Sequence, residues 1–269
     1  MLVFTKRMIK DKYKSLLVYC LAAVGFLEMY VALFPTFQGQ SDQVNQLLKT
    51  MPPEVFKALN LDPSSLSFSN FQSYLSTEYM SFLWPILAVI FALSLAAYIC
   101  VNEINNGTIE TLMSLPANRY RIYTERYFAG LLMLAVFCAS SIMAAIPLAM
   151  FHKINYASAN FITTTIGSFL FVWVIYSLAT LFSVLFSDKG RATMASAGVV
   201  ILMYVVYIVS TLNSNIKDLK YISIFNYFSG SELLAKNVYP EFALVALGGM
   251  AIVATIIGLL WFEKRDISV

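Results

Sequence analysis

The chain has 269 residues, of which 59% are hydrophobic and 12% are charged, with a net charge of +3 and a mean hydropathy of +0.72. Soluble domains carry about 25% charged residues, so this composition excludes an ordinary soluble protein and indicates an integral membrane protein. The small positive charge is spread as membrane topology requires, and no nucleic-acid partner is expected.

Six apolar runs are long enough to cross a bilayer. A hydrocarbon core of about 30 Å takes roughly 20 helical residues. We therefore predict an all-α membrane protein with six transmembrane helices in one domain over residues 1–269. The predicted spans are residues 15–34, 79–101, 127–151, 161–186, 193–212 and 242–262.

The basic residues predict the orientation of these spans, because Lys and Arg are retained on the cytoplasmic side of short loops. Most of the 18 Lys and Arg residues face the cytoplasm if both termini lie inside. The sequence thus predicts a multi-pass protein of the plasma or inner membrane with cytoplasmic N- and C-termini.

Two segments outside the spans have amphipathic patterns. Residues 1–14 mix apolar and basic side chains, which is typical of a helix lying on the inner membrane surface; the alternative is a basic flank of the first span. The first outer loop, residues 36–78, is too long for a turn. Within it we expect one short helix from Ser41 to Met51 and a second in MPPEVFKALN.

The sequence has no motif for autonomous catalysis. A Gly-x-x-x-x-Gly-Lys phosphate loop and a His-Glu-x-x-His zinc pair are both missing. The single histidine, His152, is expected to be a solvated surface residue. No catalytic residue, metal ligand or bound cofactor is predicted for this chain.

Glu28 is the one acidic residue in the first predicted span. A carboxylate at mid-bilayer costs about 3 kcal/mol, so such a residue faces a cavity, a partner or water. Two interpretations stay open: Glu28 lines a translocation path or a subunit interface, or it reaches the outer membrane surface. Pro85 predicts a kink in the second span.

Residues 102–126 predict a helical hairpin on the cytoplasmic side. Gly107 ends one helix, and a short helix from Thr108 to Leu115 follows with Glu110 in its first turn. Pro116 then forces a turn, after which Asn118 is expected to cap the next helix.

The short helix has one apolar face, formed by Ile109, Leu112 and Met113. We expect this face to be exposed to the cytosol and to fill a groove in a partner protein. The alternative is that it lies back on the lipid surface.

The hairpin resembles a segment of type-2 ABC-transporter permeases. That segment reads Glu-x-x-x-Gly-Thr-x-Glu-x-Leu-x-x-x-Pro-x-x-Arg, and the matching residues here are Glu103, Gly107, Thr108, Glu110, Leu112, Pro116 and Arg119. Similar stretches in the same order are FTKRMIKDKYKSLLVY, MPPEVFKALN, LSTEYMSFLWPIL, LFSDKGRA and WFEKRDISV, as in the branch with a long first outer loop. Asn105 and Asn106 stand where the family often has charged residues.

The resemblance implies an exporter complex. In this family two six-span permease subunits, alike or different, pair with two cytoplasmic ATPase subunits that bind ATP and Mg. By position, residues 108–115 would be the coupling helix and residues 3–14 an elbow helix. The first and fifth spans would meet across the permease dimer.

The resemblance also implies roles for individual residues. Glu103 and Glu110 would make polar contacts with the ATPase, and Ile109, Leu112 and Met113 would be the packed apolar face. A second, smaller ATPase contact would lie at residues 187–192, with Asp188, Lys189 and Arg191. The outer helices suggest only that the cargo is hydrophobic or amphipathic.

Two other classes of protein remain as alternatives. An ion-gradient-driven transporter or channel would be expected to carry several charges within its spans, whereas only Glu28 is available. A membrane assembly protein without a transport path would lack an ATPase partner.

Overall fold

The computed structural model describes residues 3–39, 52, 55 and 70–265. Within these residues, six helical segments are long and apolar enough to cross a membrane, which confirms the predicted all-α fold with six spans. Their bounds are Val3–Gly39, Phe71–Ala97, Arg119–Phe151, Ser158–Leu185, Lys189–Leu212 and Ala243–Lys264. The outer helices expected between Ser41 and Asn60 lie outside the described residues, apart from Pro52 and Val55.

The first helix, α1, is Val3–Gly39 and is continuous. The sequence suggested a separate elbow helix before a span that begins at Ser15, but no glycine or proline interrupts the chain between Val3 and Val24. At 1.5 Å per residue α1 is about 55 Å long, which exceeds the hydrocarbon thickness. Part of it must therefore extend beyond the bilayer.

The second span changes its helical geometry at Pro85. Helix α2, Phe71–Leu75, continues into a π-helical segment, Ser76–Leu83, and then into α3, Trp84–Ala97. Proline lacks an N–H and its ring clashes with the carbonyl four residues earlier, so the wider π turn accommodates it. The expected kink is thus a change from π to α geometry, at which the Trp84 N–H donates to the Tyr79 carbonyl.

The second span ends earlier than expected. Helix α3 stops at Ala97, and a turn at residues 98–100 separates it from α4, Val101–Asn105. The helix thus ends four residues before Val101, because two carbonyls of this turn, those of Tyr98 and Ile99, accept hydrogen bonds from Arg126 instead of from the next helical turn.

The other elements follow in chain order. They are α5, Ile109–Met113; α6, Arg119–Met143; α7, Ala145–Phe151; α8, Ser158–Leu185; α9, Lys189–Leu212; two 3₁₀ helices, Ser214–Ile222 and Ile224–Asn226; α10, Gly230–Lys236; and α11, Ala243–Lys264.

Helix α8 forms the centre of the bundle. It packs against α3, α6, α9 and α11. In its most apolar stretch of 18 residues, 61% of the residues are buried. The corresponding share is only 17% for α1 and for α9. These two helices therefore leave most of their apolar surface for lipid or another protein.

Candidate functional site at the helical hairpin

The hairpin after the second span consists of α4, α5 and the first turn of α6. Gly107 joins α4 to α5 with a φ of 68°, a left-handed conformation that favours glycine. Helix α5 is shorter than the predicted Thr108–Leu115 helix, and Thr108 occupies its N-cap position. Asn118 is the N-cap residue of α6, as expected, but its side chain makes no capping hydrogen bond.

The apolar face of α5 is not exposed to solvent. Ile109 and Leu112 are 2% and 3% exposed, and they pack with Phe4 of α1 and Ile122 of α6. Met113 is partly buried against the same cluster. The expectation that this face fills a groove in a partner is wrong, because the first turn of the long helix α1 already supplies that groove.

A buried ion pair holds the hairpin to the third span. The Glu103 Oε1 atom lies 2.8 Å from Nη2 of Arg126, whose side chain is only 1% exposed. Arg126 also donates to the carbonyls of Tyr98 and Ile99, at 3.0 Å and 3.2 Å. The Thr108 hydroxyl donates to the second carboxylate oxygen of Glu103. Glu103 lies in α4 and Thr108 is the N-cap residue of α5, so this hydrogen bond links the two short helices.

The surroundings of Glu103 keep it ionised. Burial alone raises the pKa of this carboxyl group, but the hydrogen bond from Thr108 and the charge of Arg126 outweigh burial and place the pKa below its ordinary value. Glu103 is therefore an internal structural group, and its side chain is not available for a partner.

The start of α1 is attached to α6 through Glu125. One carboxylate oxygen accepts from the backbone N–H of Phe4 at 3.0 Å, and the other accepts from Arg121 at 2.7 Å. The Thr5 hydroxyl donates to the Glu125 carbonyl at 2.9 Å. A carboxylate at a helix N-terminus is favourable, so Glu125 fixes the position of α1 beside the hairpin.

What the hairpin leaves exposed is mainly polar. The solvent-exposed residues of α5 and of the turn at residues 114–117 are Glu110, Thr111, Ser114, Leu115 and Pro116. We call this set the hairpin tip. Of the residues predicted to contact a partner, Glu110 and Pro116 belong to it, together with Gly107 and Thr108 at its base.

Arg119 points away from the tip. Its guanidinium donates to the backbone carbonyl of Arg265 and lies 3.5 Å from that of Glu263, both at the end of α11. Arg119 thus satisfies carbonyls that have no partner within their own helix.

The second predicted contact, residues 187–192, comprises the end of the link after α8 and the first turn of α9. Asp188, Lys189 and Arg191 are all exposed. The Asp188 carboxylate accepts from the Arg191 backbone N–H at 2.8 Å, so Asp188 is the N-cap of α9.

Glu28 and His152 meet at the opposite end of the bundle. The two side chains are 2.8 Å apart and connect α1 to the end of α7. His152 is 24% exposed, so the expectation of a solvated surface residue is wrong. Among the described residues, the second carboxylate oxygen of Glu28 is buried without a hydrogen-bond partner.

An apolar cavity of about 360 Å³ opens in the same half of the bundle as Glu28, but Glu28 does not line it. Its walls are the π-helical segment, α3, α8 and α9, with the 3₁₀ helix Ile224–Asn226 and the start of α10. The lining residues are Met80, Ser81, Phe82, Pro85, Ile86, Val89, Ile90, Phe171, Val200, Ile201, Tyr204, Phe225, Phe228, Gly230 and Ser231.

These features define a class of protein: a polytopic membrane subunit with an apolar cavity at one end and a structured helical hairpin at the other. The sequence model of one family, described as ABC-2 family transporter protein, matches residues 5–267. The chain therefore belongs to the ABC-2 transporter family and is a multi-pass permease of the cell membrane. None of the curated proteins compared with the chain matches it.

Sequence reasoning identified the hairpin but missed the residues that fix it. The sequence pattern places Arg126 only at the end of the predicted hairpin, residues 102–126, and indicates no individual role for Phe4, Glu125 or Arg265. A signal was present for Phe4, because it belongs to an apolar stripe with Met8 on a basic helix. Arg126 directly precedes a run of aromatic and apolar residues. A charged side chain buried at such a position needs an oppositely charged partner, so the sequence does indicate that Arg126 is paired.

Proposed function

We propose that this permease exports a hydrophobic or amphipathic cargo, driven by ATP hydrolysis in two separate ATPase subunits that bind ATP and Mg. Both chain termini and the hairpin would lie in the cytoplasm, and the hairpin tip would dock in an ATPase cleft. A second permease subunit, identical or different, would complete the complex.

The observation that carries this proposal is the rigid attachment of the hairpin. Its apolar face packs on Phe4 and Ile122, and its carboxylate Glu103 is paired with Arg126. A segment that receives force from a partner must transmit that force to the spans instead of deforming. The internal packing supports this role and leaves the polar hairpin tip as the contact surface.

The contact with the ATPase would be polar at its centre. Glu110 is the acidic group of the hairpin tip, flanked by two hydroxyls, and Leu115 adds one half-exposed apolar side chain. A matching cleft would offer a basic group to Glu110 and a small apolar patch to Leu115. Asp188, Lys189 and Arg191 would form the smaller second contact.

Transport would follow from linkage between nucleotide and cargo. ATP would favour the closed pair of ATPase subunits, which would draw the docked hairpins of the two permeases together. A ligand shifts such an equilibrium only by its differential affinity for the two states, so ATP and cargo must each prefer one of them.

The apolar cavity is the best candidate for the cargo site. Its walls are almost entirely aliphatic and aromatic, with hydroxyl groups from Ser81, Tyr204 and Ser231. Such a surface suits an acyl chain or another amphiphile better than an ion or a sugar. The hydrogen bond between Glu28 and His152 joins two helices outside the cavity, so neither side chain contributes a polar group to the cavity wall.

The exposed faces of α1 and α9 suit a permease dimer. Both helices bury little within one subunit, and Ala195 and Gly198 near the start of α9 would allow close helix contact. Because the cavity is partly lined by α9, a second subunit would also close its open side.

Co-purification from native membranes tests the proposal. The tagged permease, isolated in mild detergent, is expected to bring down a separate chain with ATPase activity. Glu110→Lys should weaken this association about tenfold through lost charge complementarity, whereas Glu241→Lys, an exposed glutamate on the opposite side of the membrane, should not change it. A folded permease that recovers no ATPase would refute the proposal.

A further inference from the structure

We propose that Arg265 is a positioning residue that joins the two ATPase-facing segments, the hairpin and residues 187–192, into one mechanical unit through the end of α11. The inference rests on the proposed function, since it concerns how two ATPase contacts move together. It assigns a role to the C-terminal end of the last span, which is not itself expected to touch the ATPase.

The first half of this connection links the hairpin to α11. Arg119, the first residue of α6, donates from Nη1 to the carbonyl of Arg265 and approaches that of Glu263. The last carbonyls of a helix have no intrahelical donor and carry partial negative charge. Arg119 therefore completes the C-terminus of α11 from the base of the hairpin.

The second half links α11 to the other contact. The Arg265 guanidinium donates to the carbonyl of Val184, to that of Phe186 at 3.1 Å, and to the Ser187 hydroxyl at 2.6 Å. Since α8 ends at Leu185, Arg265 completes the C-terminus of α8 in the same way as Arg119 completes that of α11. We call this chain of contacts the arginine bridge.

Apolar packing supports the arginine bridge from the other side. Phe186 contacts a small cluster formed by Ala97, Val101 and Ala192. Residues 186–192 are thus held between the end of α3 and the end of α11, and a displacement of α11 must carry them along.

The guanidinium group is essential to this geometry. Its planar fork presents five donors and reaches three acceptors at once, whereas the ammonium group of lysine is a single point. Arg265→Gln should release residues 184–188 from α11 while leaving the six spans intact. Arg265→Lys should keep the charge but restore only part of the connection.

The experiment measures the distance between spin labels on the two segments by pulsed electron resonance. Labels are placed at Ser114→Cys and Lys189→Cys in full-length permease carrying Cys20→Ala, which leaves the buried Cys100 and Cys138 as native thiols. The protein is reconstituted in vesicles of phosphatidylethanolamine and phosphatidylglycerol. Lys264→Gln, which changes the neighbouring exposed basic residue, is the matched control.

We expect a narrow distance distribution in the parent protein and in Lys264→Gln. In Arg265→Gln its width should roughly double, because local order at residues 184–188 is lost, with an intermediate width for Arg265→Lys. Equal widths in the parent protein and Arg265→Gln would overturn the inference. This measurement needs no ATPase, so its outcome does not depend on whether the proposed function is correct.

A second measurement uses the assembled complex, once co-purification has shown that the doubly labelled permease still binds the ATPase. With ATP and vanadate trapped, the mean distance in the parent protein should stay the same as without nucleotide, because both segments move as one unit. In Arg265→Gln the two nucleotide states should give different distances at unchanged thermal stability. A nucleotide-dependent distance in the parent protein would also overturn the inference.

Discussion

The hairpin end of the bundle and the cavity end are built from different interactions. At the hairpin end, charged groups meet each other and backbone N–H and carbonyl groups at short range: Glu103 with Arg126, Glu125 with the Phe4 N–H, and Arg265 with the Phe186 carbonyl. At the cavity end, aromatic and aliphatic side chains leave open space of about 360 Å³.

The difference matches two mechanical requirements. Charge-assisted hydrogen bonds are directional, so a network of them fixes segments in one geometry. Apolar contacts are non-directional and tolerate sliding, and a cavity lined by them can change shape at low energetic cost. One end of the protein is suited to transmit a displacement, and the other is suited to respond to it.

Loss of the buried arginine should break the hairpin end most severely. Arg126→Gln leaves Glu103 buried without its cation, which costs about 3 to 5 kcal/mol. We expect a large fall in the thermal unfolding temperature of the purified permease. Arg7→Gln, which removes an exposed i,i+4 pair with Asp11, should cost at most about 1 kcal/mol.

A double substitution separates the ion pair from simple packing. Glu103→Gln combined with Arg126→Gln removes both charges, so the double variant should be more stable than Arg126→Gln alone. A double variant that is less stable than either single one would show that the two residues act independently.

Truncation of a side chain on the apolar face of α5 should have the next largest effect on stability. Leu112→Ala removes a buried side chain from the cluster with Phe4 and should cost about 2 to 5 kcal/mol locally. Hydrogen exchange at residues 104–116 should accelerate accordingly. Leu115→Ala, at a side chain that is 39% exposed, is the matched control and should leave exchange nearly unchanged.

Filling the cavity should affect the opposite end alone. Ile201→Trp adds bulk at the cavity wall and should weaken stimulation of ATP hydrolysis by amphiphiles about tenfold, equivalent to about 1.4 kcal/mol. Hydrogen exchange of the hairpin should not change. Leu202→Trp changes the next residue, which is equally exposed but does not line the cavity, and similar losses in both variants would argue against a cargo site there.

Of the changes considered, low pH should destabilise the hairpin least. Because the pKa of Glu103 is lower in the folded state than its ordinary value of 4.5, its contribution to stability is fully present above pH 4.5. That contribution is lost as the pH falls through the lowered pKa. Hairpin exchange rates, corrected for intrinsic pH dependence, should rise only below pH 4.5, and Glu103→Gln should remove this rise.

The sequence predicted the six spans because each is a long apolar run with at most one charged residue, and it located the hairpin by Gly107 and Pro116. It could not predict which face of α5 is buried. That outcome depends on Phe4, which is more than 100 residues away and reaches the hairpin only because α1 continues without a break. Amphipathic periodicity identifies an apolar face but not the group that covers it.

Local signals also could not distinguish a buried carboxylate from a solvent-exposed one. Glu103 and Glu110 have the same chemistry and lie seven residues apart on the hairpin. Only the tertiary position of Arg126 turns Glu103 inward, whereas Glu110 stays in solvent. The same applies to Arg119, whose partners are carbonyls near the other end of the chain.

Because α1 is long and continuous, it connects the hairpin end of the bundle directly with the opposite end. Phe4 contacts the hairpin and Glu28 contacts His152 in the opposite half of the bundle, and the two positions are separated by about 36 Å of helix without an intervening proline. A tilt of this rod imposed at either end must appear at the other. In the proposed orientation, with the hairpin in the cytoplasm, a displacement on the far side of the membrane would reach the cytoplasmic side through this helix.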